Sequence, residues 1–258
     1  MNYDFIRVER RERVTTIVLH RPEVLNAINP PMHEELQAAF DDFAADPEQF
    51  ICVVAGAGGK AFCAGSDLKA GPGDSGYPKN GYAGLIERFD LNKPVIAAVN
   101  GVCLGGGFEI ALACDIIIAT DTASFGLPEP RVGAIALGGG VHRLVRQIGL
   151  KRAMGYLFTC ARISAADGYA LGLVNEVVQP GELTSAVEDW CAQILAAAPM
   201  AIRATKEAAL RGLDEPSLAA AMQHQADYPG FKAWLAAEDT TEGPRAFAEK
   251  RAPVWHGR

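Results

Sequence analysis

The chain has 258 residues and a formal net charge of −7, with 49% hydrophobic and 21% charged residues. That length supports one large core, and the balance is that of a globular protein with no lysine or arginine block, so no nucleic-acid partner is expected. No run approaches the ~18 apolar residues of a membrane span, and residues 1–7 hold neither an apolar signal core nor an Arg-rich leader, so a cytoplasmic protein with no membrane partner is expected. The six cysteines, Cys52, Cys63, Cys103, Cys114, Cys160 and Cys191, form no C-x-x-C pair and read as buried, reduced thiols.

In chain order, residues 5–9 and 14–19 predict a strand pair joined by the charged residues 10–13. Pro30 and Pro31 open a helix to about residue 45, with Met32, Leu36, Ala39, Phe40 and Phe43 on one face. Residues 51–55 form a continuous apolar strand, predicted parallel and covered on both faces. The stretch 69–82, rich in Gly, Pro, Asp, Ser and Asn, predicts a mobile loop that serves as a lid or pocket wall. A helix over 84–90 precedes a strand at 94–99. Further strands are read at 115–119, 123–126 and 174–178, with helices at 141–147, 151–159 and 164–170, the last capped by Ser164. From residue 181 onward only helices are expected, over 183–197, 200–211, 216–226 and 242–250. Strands alternating with helices argue for an α/β class. The expected division is a core at 1–195 and a helical region at 196–258.

Three segments carry chemistry. Gly105, Gly106 and Gly107 lie between a strand and a helix. Without Cβ atoms there, backbone N–H groups approach a ligand closely, and a helix N-terminus favours an anion or a developing oxyanion. Glu109 sits about one helical turn further on. Ala64-Gly-Ser-Asp67 is a second turn, in which Gly65 allows the Ser66 N–H to face inward; with Gly106 it would make a two-donor oxyanion hole where the turns meet. Glu129 follows a short strand and Pro128, 20 positions after Glu109. Each segment taken singly also fits a plain packing turn or a solvated glutamate. Gly56-Ala-Gly-Gly-Lys-Ala61 matches a loose dinucleotide pattern, but the segment after it does not open a helix. No Walker loop or G-x-S-x-G elbow is present, and the five histidines have no metal-site spacing; His142, after the run Gly138-Gly-Gly140, is the one of interest.

Taken together, His20-Arg-Pro-Glu-Val-Leu-Asn-Ala27, Ala61-Phe-Cys-Ala-Gly-Ser-Asp-Leu68, Lys93-Pro-Val-Ile-Ala-Ala-Val-Asn-Gly101, Gly105-Gly-Gly-Phe-Glu109, Cys114-Asp-Ile116 and Phe125-Gly-Leu-Pro-Glu129 resemble the enoyl-CoA hydratase/isomerase (crotonase) family. Leu171-Gly-Leu-Val-Asn-Glu-Val177 and Phe247-Ala-Glu-Lys-Arg251 extend the resemblance over almost the whole chain.

The resemblance implies a crotonase-like spiral of ββα units with a C-terminal helical oligomerisation region, and a homotrimer or homohexamer. It implies an acyl-CoA thioester substrate and no cofactor beyond the coenzyme A of that substrate. The thioester carbonyl would be held by the Ser66 and Gly106 amides, with Val24, Ala64, Asp67, Leu68, Lys69 and Leu137 around the substrate. Phe247 and Lys250 would meet the coenzyme A of a neighbouring subunit.

Hydratases of the family carry two glutamates, and both positions, Glu109 and Glu129, are glutamate here. The expected activity is therefore addition of water across the C2=C3 bond of a 2-enoyl-CoA. The alternatives are Δ3-Δ2 isomerisation, dehydration of a specialised hydroxyacyl-CoA, and a non-catalytic CoA-binding paralogue. Ala136 and Leu137 stand where many hydratases have a proline and a glycine, so the acyl group is an open expectation.

Overall fold

The computed structural model describes residues 3–71 and 76–258. The β-branched run at its start forms a hairpin, β1 (Ile6–Arg11) antiparallel to β2 (Val14–Leu19). Arg10 and Arg11 pair within the hairpin, so its turn is tighter than the charged link expected, and Glu12 adopts φ 49° there. Helix α1 (Pro30–Ala45) starts with prolines in its first turn, where missing N–H groups cost nothing, and Asn29 caps it by accepting the Met32 N–H at 3.0 Å.

The next strand, β3 (Ile51–Gly56), lies parallel to β2. The chain then crosses into a second sheet through β4 (Ala61–Cys63) and returns through β5 (Val95–Val99), parallel to β3. The same step recurs twice. From β5 it leads to β6 (Val102–Leu104) and helix α2 (Gly106–Ala113); from β7 (Ile116–Thr120) it leads to β8 (Ser124–Gly126). After α3 (Gly140–Ile148) and α4 (Leu150–Thr159), β9 (Ile163–Ser164) pairs antiparallel with β8. Helix α5 (Ala165–Ala170) and β10 (Glu176–Val178) complete the sheets. The orders are β1-β2-β3-β5-β7-β10 and β4-β6-β8-β9.

The crossing explains the apolar runs. Cys52 and Val54 of β3 join one core with Phe40, Phe43 and Phe108, whereas Ile51 and Val53 join a second core with Ala186, Val187 and Cys191. A strand covered on both faces needs no polar alternation. The second core lies under α6 (Leu183–Leu195). Beyond it come α7 (Pro199–Gly212), α8 (Leu218–His224), α9 (Pro229–Leu235) and α10 (Asp239–Glu249), so from Leu183 the described elements are helical. The C-terminal segment is tied to α10: Asp239 accepts the His256 and Gly257 N–H groups, and Glu242 pairs with Arg251 at 2.6 Å. All six cysteines are buried and free, as read from the sequence. Among the described residues no helix is long and apolar enough to cross a membrane.

Two sequence expectations need correction. The helix over 84–90 is absent; a single 3-10 turn, Tyr82–Gly84, stands in its place. Its Ala83 N–H donates to His33 Nδ1 at 2.9 Å, and Ala83 and Gly84 take φ values of 55° and 61°, which end any right-handed helix. Gly84 is pressed so closely on α1 that a side chain would collide with the Gln37 backbone. The second correction concerns the glycine junction. It follows β6, a short strand of the second sheet, rather than the strand at 95–99 directly. The kink is at Gly101, where a Cβ would collide with the Lys60 carbonyl.

Candidate active site

Two strand exits of the second sheet build the amide pair. After β4, the N–H groups of Ala64, Gly65 and Asp67 are all engaged: with Leu25 O at 3.0 Å, Cys63 Sγ at 3.3 Å and Ile28 O at 2.9 Å. Gly65 itself has φ 94°, and its carbonyl accepts the Ile28 N–H. The Ser66 N–H between them donates to no described residue. After β6, Gly105 with φ 56° turns the chain into α2, and the Gly106 N–H, at the first position of that helix, is likewise left over. The two turns abut: a Cβ on Gly65 would stand 3.2 Å from the Gly106 nitrogen and 3.0 Å from the Leu104 oxygen. The amide groups of Ser66 and Gly106 are thus brought together from positions forty residues apart.

Both glutamates reach the same place. Glu129 opens a 3-10 turn (Glu129–Val132) after β8, and its Oε1 lies 3.3 Å from where a Gly105 Cβ would be. Its Oε2 is buried and has no partner among the described residues. Glu109, one turn into α2 and only 4% exposed, accepts the Gly140 N–H at 2.9 Å. Burial pushes the Glu109 carboxyl up to about 7, against the pull of the Gly140 hydrogen bond; the charge of Glu129 pushes the same way and Arg143 opposes it weakly. Burial also raises Glu129. Two carboxyl groups that resist ionisation beside two unspent amides are equipped to move protons around a carbonyl compound.

The remaining candidates divide. Asp67 is held by Arg21 at 2.9 Å, an ion pair whose guanidinium also donates to the Ala27 carbonyl at 2.6 Å, so burial and pairing keep the turn after Ser66 rigid; the pairing lowers the Asp67 carboxyl below the usual range. The Lys69 N–H donates to Asp67 Oδ1 at 3.2 Å; Leu68 and Lys69 are exposed along this loop, and Val24 is exposed in the separate turn Pro22–Val24. Leu137 is 81% exposed beside Gly138, while Ala136 is buried. Phe247, 87% exposed, and Lys250, the left-handed end of α10, lie in the helical tail and make no hydrogen bond or ring contact with the glutamates or the glycine turns among the described residues. His142 is exposed on α3. The Gly56 turn is explained by packing, since a Cβ there would stand 2.5 Å from the Ala61 carbonyl.

Several residues that shape the site escaped the sequence reading. Gly138 and Gly140 close over Glu109: a Cβ on Gly140 would lie 2.9 Å from Oε1, and one on Gly138 would collide with Oε2. The triple glycine was visible in the sequence, but nothing local connected it to Glu109. Gly138→Ala is expected to displace the Glu109 carboxyl and depress turnover by about 10²-fold or more, within the range of a lost acid–base group, with the melting temperature little changed. Steady-state kinetics beside a thermal melt check this. Tyr82 is the other omission; its ring lies under the Gly106 turn. The loop expected at 69–82 falls partly on residues 72–75, outside the described residues. From the rest of it, Tyr77 stands edge-on to His33 and Tyr82 at 5.2 and 5.4 Å.

Fold and geometry together define an α/β spiral in which two desolvated carboxyl groups and two unspent backbone amides lie at the exits of the second sheet. The family model for enoyl-CoA hydratase/isomerase matches residues 9–258. The carnitinyl-CoA dehydratase of Proteus mirabilis (strain HI4320) is 40% identical over 259 residues, 98% of each chain. Among solved structures, the enoyl-CoA hydratase of Mycobacterium tuberculosis H37Rv superposes with a TM-score of 0.92 at 35% identity, over 98% of this chain and 99% of that one. The carnitinyl-CoA hydratase of Mycobacterium avium does so with 0.78 at 41% identity, over 100% of both. The chain belongs to the enoyl-CoA hydratase/isomerase family and has the crotonase fold.

Proposed function

We propose that this enzyme adds water reversibly across the C2=C3 bond of a 2-enoyl-CoA thioester. The observation that carries the reading is that Glu129 sits against the Gly105 turn that leaves the Gly106 amide free, beside the Ser66 amide, while Glu109, under Gly138 and Gly140, is close enough for the Glu129 charge to act on it. Addition of water to C3 leaves an enolate whose charge sits on the thioester oxygen, where the Ser66 and Gly106 N–H groups and the N-terminus of α2 stabilise it. Glu109 orients the water and takes its proton. Glu129 delivers a proton to C2. In dehydration the same groups exchange roles, Glu129 removing the C2 proton and Glu109 protonating the departing hydroxyl. Coenzyme A is part of the substrate and no separate cofactor enters the scheme; Val24, Ala64, Asp67, Leu68 and Lys69 border it.

A second reading, dehydration of a specialised hydroxyacyl-CoA, is favoured by the 40% identity to carnitinyl-CoA dehydratases and by Ala136 and Leu137 at the acyl side. The test is absorbance at the enoyl thioester band. Loss of the band with crotonyl-CoA, and along a series of chain lengths, supports the general hydratase. Appearance of the band with carnitinyl-CoA and no loss with crotonyl-CoA supports the second reading. Binding without change of either thioester removes both.

Assembly as a homotrimer, or a pair of trimers, belongs to the same proposal. Support comes from the apolar side chains left exposed on one chain, Phe158, Leu213, Leu218 and Phe247 among them. Phe247 and Lys250 would then reach a neighbour's coenzyme A.

A further inference from the structure

We infer that the Tyr82 hydroxyl is a third donor to the substrate oxygen in the pocket formed by the Ser66 and Gly106 amides. The inference rests on the thioester reading above and adds a residue to it. Tyr82 is 3% exposed, and the oxygen end of its ring lies so close to Gly106 that a Cβ on that glycine would overlap it. On the other side, Ser66 Oγ donates to the Tyr82 oxygen at 3.2 Å. The phenol is therefore wedged between the two residues whose backbone N–H groups are unspent.

Its hydrogen-bond inventory is incomplete. A phenol both accepts and donates; this one accepts from Ser66, and its own proton has no acceptor among the described residues. Buried polar hydrogens find partners, so one left over at the edge of a ligand pocket marks a place for an acceptor atom from the ligand. Of the acceptors the proposed reaction brings, the thioester oxygen is the one assigned to the Ser66 and Gly106 amides on either side of this phenol, and it turns negative in the enolate. Burial holds the phenol well above its ordinary range, so it keeps its proton throughout the working pH range.

The ring is also fixed in direction. His33 stands edge-on to Tyr82 at 4.6 Å, and Tyr77 at 5.4 Å. His33 is in turn held by the Ala83 N–H on its Nδ1, and burial lowers this histidine to about 4, so it remains a neutral acceptor. A donor that needs no reorientation when charge develops is the kind that lowers a barrier rather than merely strengthening ground-state binding.

Tyr82→Phe removes one oxygen and keeps the ring against His33 and Tyr77. The expected result is a fall in kcat of about 10²-fold, with KM nearly unchanged, because the bond strengthens in the enolate. A second readout avoids turnover. With Glu129→Gln present to block the reaction, a bound 2-enoyl-CoA shows a red-shifted thioester band that reports polarisation of its carbonyl, and adding Tyr82→Phe should shrink that shift. A kcat and a band shift both unaffected by Tyr82→Phe overturn the inference alone. No band shift in the Glu129→Gln protein itself overturns the thioester reading and this inference with it.

Discussion

Glu129→Gln is expected to lower hydration of crotonyl-CoA by roughly 10²–10⁴-fold, the range for loss of one general acid–base group, while binding of the thioester is retained. The substitution preserves shape, and Glu129 Oε2 has no partner to lose among the described residues. Any effect on turnover therefore reports chemistry rather than folding. The half-buried carboxyl is raised by desolvation, so it holds a proton more readily than an exposed glutamate, as the proposed delivery of a proton to C2 requires. Initial rates at the enoyl band, together with calorimetric binding of a saturated acyl-CoA, separate the two effects. Retained turnover in the variant would remove Glu129 from the scheme.

Glu109→Gln should likewise abolish most turnover, but it should also stabilise the protein in a pH-dependent way. Glu109 has a native value of about 7 against an ordinary 4.5. Between those values the folded chain binds the proton and the unfolded chain does not, so unfolding releases it and native stability falls as pH rises through this window. Below pH 4.5 the carboxyl is protonated in both states and the glutamate carries no such penalty. Above pH 7 its burial as a charged group costs up to about 3 kcal/mol, at ~1.4 kcal/mol for each pH unit that separates the two values. The uncharged amide avoids that cost and can still accept the Gly140 N–H.

Denaturant melts at pH 8 should therefore place Glu109→Gln above the parent protein. The gap should close progressively down to pH 4.5. A constant gap across that range would mean that Glu109 is not held in its neutral form by the fold. Stability given up at the proposed acid–base group is the kind of trade that active sites make.

Several left-handed or unpaired features of the molecule, among others elsewhere in the chain, lie around the proposed site. Gly65, Gly105, Ala83 and Gly84 hold positive φ values around it, the Ser66 and Gly106 amides are unspent, and Glu109 is buried with a raised carboxyl. None of these is favourable for folding by itself. They persist because both cores, built on the two faces of β3, β5 and β7, hold the second-sheet strands that end at the site.

Local chemistry in the chain determined much of this protein by itself. The double proline starts α1, the continuous apolar runs mark β3, β5 and β7 as buried strands, and the glycine triplet before Glu109 marks a sharp turn into α2. Those signals act over a few residues, through steric freedom and periodicity, and the folded chain keeps them. The order of motifs along the chain also carried the family, because it spans nearly all of the length. Only tertiary structure decided which distant residues meet. The short strands β4, β6 and β9 have too few residues for a period, and exist because neighbours supply their hydrogen bonds. The turn at Tyr82–Gly84 displaced an expected helix because α1 presses on it and His33 takes its amide. The closing of Gly138 and Gly140 over Glu109, and the placing of Tyr82 beneath Gly106, depend on contacts between segments more than twenty positions apart, where no local preference operates.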